Sequence, residues 1–150
     1  MALICTRPLS LQELGKVDLA QCNSITGYYR RVPDTEFTSL EFSADDARCS
    51  QLIDLFAQQK YHRSLIDLLS PNGGSIHQPK DGDFIWDLSF NFGPTDFPDG
   101  STGKGTFIQC RDFYGTLSIF TAIDGKTLCC TTSDQEAFLR QVYDIISAEP

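Results

Sequence analysis

Positive charge is sparse in this sequence. Twelve Lys and Arg face twenty Asp and Glu, giving a formal net charge of −8, and there are only two histidines. Nucleic-acid phosphates require clustered Lys and Arg, so a nucleic-acid partner is excluded as an expectation. No polybasic stretch is present to hold an anionic membrane surface. No apolar run approaches the ~18 residues of a membrane span. The first residues, Met1 to Pro8, lack both the positive and the long apolar region of a secretory leader, so the expected compartment is the cytoplasm.

Motifs are missing too. No Cys-x2-Cys or His-x3-His spacing occurs, so zinc, and with it any metal or cofactor, is not expected. The stretch Gly100-Ser101-Thr102-Gly103-Lys104-Gly105-Thr106 imitates a phosphate loop. However, Pro98 stands where the first glycine belongs, Gly105 displaces the Ser or Thr, and a strand rather than a helix follows. The acidic pairs Asp81/Asp83 and Asp96/Asp99 lack the alternating donors and distal Glu of a calcium loop. Cys129-Cys130 puts neighbouring thiols on opposite strand faces, which suits no single metal. His62 or His77 could meet one of the cysteines, Cys5, Cys22, Cys49, Cys110, Cys129 and Cys130, but no local signature of a Cys–His enzyme accompanies them. No catalytic residues are assigned.

What the sequence does hold is apolar area. Eleven Phe, five Tyr and one Trp in 150 residues, 41% of them hydrophobic, exclude a disordered tail. They fit one globular domain, 1–150, with free thiols in a reducing compartment. The chain reads in sequence order as β-α-β-β-α-α-β-β-β-β-α. A strand is expected over 2–6. Ser10-Leu11-Gln12-Glu13 is a capping box opening a helix of about three turns, weakened at Gly15. Strands at 26–32 and 36–42 flank a Pro33-Asp34 turn. A helix starting at Ser43-Ala44-Asp45-Asp46 presents Leu52, Ile53, Leu55 and Phe56, and a short helix is expected over 61–69.

The clearest strand is 83–92, where Phe84, Trp86, Leu88, Phe90 and Phe92 alternate with Ile85, Asp87, Ser89 and Asn91. Strands at 106–112, 116–123 and 126–131 follow, the last two joined by an Asp124-Gly125 turn. A third capping box, Ser133-Asp134-Gln135-Glu136, opens a helix with Phe138, Leu139, Val142, Ile145 and Ile146 on one face. The short connections of the last strands predict a meander, its face covered by helices: an α+β domain on a largely antiparallel sheet.

Charge is segregated. Residues 61–150 carry 12 acidic and 6 basic groups, whereas 1–60 carry 8 and 6. Between Asp81 and Gly103 lie five carboxylates, no Lys or Arg, and several aromatics. Carboxylates steer and aromatics anchor a basic protein surface, so Asp81, Asp83, Asp87, Asp96, Phe97 and Asp99 are the candidate partner-binding residues. Phe84, Trp86, Leu88, Phe90 and Phe92 themselves read as core, leaving Asp87 and the loop acids outside. The corresponding function is a small cytosolic protein that neutralises a basic partner by filling its cationic cleft with carboxylates. Immunity proteins and nuclease inhibitors are of this class by analogy, with no shared motif. Two alternatives stay open: an enzyme with a distributed Cys or carboxylate centre, and a structural or assembly subunit.

Overall fold

A computed structural model describes residues 7–63, 79–93, 99–100 and 105–149. Seven strands, all paired antiparallel, form one sheet: β1 (Cys22–Arg31), β2 (Thr38–Ser43), β3 (His62–Arg63), β4 (Phe84–Phe92), β5 (Thr106–Phe113), β6 (Thr116–Thr121) and β7 (Lys126–Thr131). Their order is β2-β1-β4-β5-β6-β7-β3. Helices α1 (Leu11–Gly15), α2 (Ala47–Gln58) and α3 (Gln135–Ser147) complete the α+β architecture expected from the pattern. The expected strand at 2–6 lies outside the described residues.

Alternation along the strands builds the core. Ile25, Trp86, Leu88, Phe90, Ile108, Cys110, Leu117 and Ile119 are buried on one sheet face, in register across β1, β4, β5 and β6. Helix α2 lays Cys49, Leu52 and Phe56 against that face, and α3 lays Phe138, Leu139, Val142 and Ile146. Phe56 is the hinge of the aromatic packing, edge-on to Phe90 at 4.9 Å and to Phe138 at 5.1 Å.

Several local expectations change. The Ser10–Glu13 capping box forms, both reciprocal bonds at 3.1 Å, yet α1 stops after five residues. At Gly15 the chain touches Ile108 so closely that a Cβ would collide with its side chain, and Lys16 then turns away at φ 54°. The second helix begins later than Ser43: Asp46 is its N-cap, accepting from the Arg48 amide at 2.9 Å. In place of a helix at 61–69, His62 and Arg63 pair with β7, and 64–69 lie outside the described residues. The buried Tyr61 fixes this turn, donating its hydroxyl to the Phe56 carbonyl at 2.9 Å. The β6–β7 connection has four residues, closed by the Gly125 amide on the Thr121 carbonyl, rather than two. The last capping box does not form. Asp134 is the N-cap with φ 53° and no side-chain bond, and Gln135 instead ties the preceding chain to Gly115.

Candidate functional site

At one end of the sheet, three segments converge on a cleft of about 460 Å³. The entry to β4 supplies Gly82, Asp83 and Phe84, the β5–β6 hairpin supplies Asp112, Tyr114 and Gly115, and the first turns of α3 supply Gln135, Glu136, Leu139 and Arg140. Its volume is that of a small-ligand site, typically about 300–1,000 Å³.

The hairpin explains the geometry. Tyr114 and Gly115 both have positive φ, 50° and 100°, the conformation of a tight mirror-type turn whose twist matches the strands. That turn aims the Gly115 amide back at Asp112, whose Oδ1 accepts it at 2.7 Å. Gln135 donates to the Gly115 carbonyl at 2.8 Å, which docks the helix start against the hairpin.

Asp112 stands in phase with Ile108 and Cys110, opposite Trp86 on β4 and Leu117 on β6, so its carboxyl points to the core face. It is 1% exposed, and of the ten lining residues only it and Leu139 are buried; together they make the floor. Among the described residues the Gly115 amide is its one hydrogen-bond partner. Burial pushes the carboxyl up to about 7, with the Gly115 bond acting in the opposite sense.

Phe84 and Tyr114 wall the cleft. Phe84 stacks on Tyr143, centroids 4.6 Å apart, and the Arg140 guanidinium lies over its ring at 5.3 Å. The Tyr114 hydroxyl accepts from Arg30 at 2.7 Å. At the rim, Asp83 and Glu136 add two carboxylates. Asp83 accepts the Lys80 amide at 2.8 Å, which holds it at the entry. The cleft therefore carries three carboxyl groups against the single cation Arg140.

The sequence-derived acids separate into groups. Asp83 lines the cleft and Asp81 stands exposed two residues before it, while Asp99 is exposed elsewhere and Asp96 and Phe97 lie outside the described residues. Asp87 is not a solvated rim acid. It points to the sheet face opposite the core, only 4% exposed, and its carboxylate is occupied by Arg111 Nε at 2.8 Å, Gln109 Nε2 at 2.8 Å and the Tyr28 hydroxyl at 3.1 Å. Its neighbours on β1 and β5 satisfy it, which reading β4 alone could not reveal.

Asp112, Tyr114, Glu136 and Arg140 escaped the sequence reading. The available signal was an acid at an inward position of the Ile108-Cys110-Asp112 alternation, immediately before a turn. No group of three or more His, Cys, Asp or Glu side chains suited to a metal is present among the described residues, and no described helix is long and apolar enough to cross a membrane. Compared with known proteins, the chain matches no family model, no curated protein and no solved structure, so the site is read from its own geometry.

Proposed function

We propose that this protein is a small acidic binding protein that engages a basic protein partner, in the manner of an immunity protein or inhibitor, through the Asp112 end of its sheet. The observation that carries the reading is the cleft: Asp83, Asp112 and Glu136 surround an aromatic-walled hollow, with Asp81 beside it. Carboxylates at such a surface steer a cationic partner and stand in for the phosphates its own cleft would hold. The net charge of −8 extends the same field around the molecule.

The test is capture of the partner from host lysate at low and moderate salt, followed by binding measurements on the purified pair. Asp83→Lys with Glu136→Lys weakens binding roughly tenfold or more and flattens its salt dependence. Asp45→Lys, exposed beyond the opposite end of β1 and β2, is the control and leaves binding intact. Equal affinity in all three proteins refutes the reading. Asp87 is unsuited to such reversal, because a lysine there would bury a second cation beside Arg111.

One observation favours a second reading. A carboxyl that titrates near 7 at the floor of a cleft is the kind of group general acid–base catalysis employs. Turnover of a small substrate that is lost in Asp112→Asn would displace the binding reading in its favour.

A further inference from the structure

Resting on the binding reading, we propose that the Asp112 cleft is a socket for one guanidinium group, supplied by an arginine side chain of the partner. Four features of the site converge on that chemistry. The floor carboxyl is 1% exposed and receives a single hydrogen bond, from Gly115 to Oδ1, among the described residues. A carboxylate accepts at about four lone-pair positions, so this one, which lines the cleft floor, has accepting capacity beyond the Gly115 bond. The rim carboxylates Asp83 and Glu136 repel anions and attract cations. The walls are flat aromatic surfaces, and one of them, Phe84, already carries the guanidinium of Arg140 at 5.3 Å.

Arginine suits these walls better than lysine. Its guanidinium is planar and weakly hydrated, stacks on aromatic faces, and presents a fork of donors to carboxylates. Arg140 forms no ion pair among the described residues; at the rim it opposes an incoming cation, as do Arg30 at the Tyr114 hydroxyl and Arg31 beside Gly82.

Entry of the cation couples to the proton on Asp112. Burial holds that carboxyl protonated until about pH 7, and only the ionised form completes the pair. The charged and titratable groups around it are Asp83 at the entry to β4, Arg31 of β1 beside Gly82, Tyr114 on the hairpin with Arg30 of β1 at its hydroxyl, and Glu136 and Arg140 on α3. Cation binding therefore releases a proton below pH 7. The affinity rises nearly tenfold per pH unit well below 7, about fiftyfold from 5 to 7, and levels off above 7 at about a hundredfold over its value at pH 5.

The experiment uses the whole chain and three probes, n-butylguanidinium, n-butylammonium and neutral n-butylurea, followed by backbone amide and Trp86 indole NMR shifts. Butylguanidinium is expected to move Gly82, Gly115 and Glu136, to bind more tightly than butylammonium, and to tighten from pH 5 to 7 as stated. Butylurea leaves the spectrum unchanged. Asp112→Asn, which keeps an oxygen for the Gly115 amide, loses the binding while its spectrum shows an intact fold, and Arg140→Gln strengthens it. Equal shifts with butylurea, a pH-independent affinity, or binding retained in Asp112→Asn would overturn the socket. If the socket fails while Asp83→Lys with Glu136→Lys still disrupts the purified pair, the acidic-surface reading survives alone. If butylguanidinium binds as described but no basic protein partner is captured, the cleft chemistry stands and its source in a protein partner is refuted.

Discussion

Replacing Asp112 by asparagine is expected to stabilise the protein at alkaline pH, although it alters a buried polar residue. In the folded state the carboxyl is pushed from its ordinary 3.8 to about 7 by burial. Below 3.8 it is protonated in both folded and unfolded chains. Between 3.8 and 7 the unfolded chain gives up its proton while the folded one retains it, so stability falls as pH rises, and above 7 the loss is complete. At about 1.4 kcal/mol per pH unit, the interval corresponds to roughly 4 kcal/mol. Water entering the cleft and relaxation around the carboxylate reduce that figure, so about 2–4 kcal/mol is expected. Asparagine is neutral throughout and its Oδ1 can accept the same Gly115 amide. Urea unfolding of both proteins from pH 4 to 9 gives curves that meet near pH 4 and diverge towards pH 8, with the variant the more stable. Taking the difference removes contributions from other carboxyls. A variant less stable than wild type at pH 8, or a difference independent of pH, would refute the assignment of Asp112 as a buried, destabilised carboxyl.

Other expectations follow from neighbouring residues. Trp86, the one tryptophan, is Asp112's cross-strand partner on the same face, so its fluorescence should titrate with a midpoint near 7 in wild type and lose that transition in Asp112→Asn. Arg111→Ala leaves the Asp87 carboxylate buried with only Gln109 and Tyr28 as donors and costs about 1–3 kcal/mol in urea unfolding. Because the Arg111 side chain is half exposed, adding Asp87→Asn recovers part of that loss; full additivity would contradict the pairing. Burial pushes the thiols of Cys22, Cys49 and Cys110 up, so at pH 8 a thiol reagent should modify them only as fast as the protein opens, with urea accelerating the reaction. Rapid native-state labelling of Cys110, mapped by mass spectrometry, would contradict its placement.

How far these features were legible from sequence depends on how local their causes are. The Phe84 to Phe92 alternation states its own face, and the apolar positions of α3 repeat with the helical period, so strand, helix and antiparallel meander followed directly. The capping boxes illustrate the limit. The one at Ser10 forms because nothing intervenes in its four residues, whereas at Ser133 the Gln135 side chain is drawn to Gly115 and the cap is lost. The strand at His62–Arg63 depends on a partner nearly seventy residues away, and two residues carry no period of their own. Asp87 shows the same blindness in the site. Read within β4 it is an outward acid, but its fate was decided by Gln109 and Arg111 on the adjoining strand. Asp112 was the converse, an acid in phase with the core whose significance appears only when α3 and the β4 entry close around it.

The most direct measurement is competition at the cleft in the assembled pair. With the captured basic partner bound to immobilised protein at pH 8 and constant ionic strength, n-butylguanidinium is added while the bound fraction is followed. Progressive release of the partner, unmatched by the same concentration of n-butylurea and reversed on dilution, is the predicted result. A partner that stays bound while the Gly115 amide reports the cleft fully occupied would contradict the account.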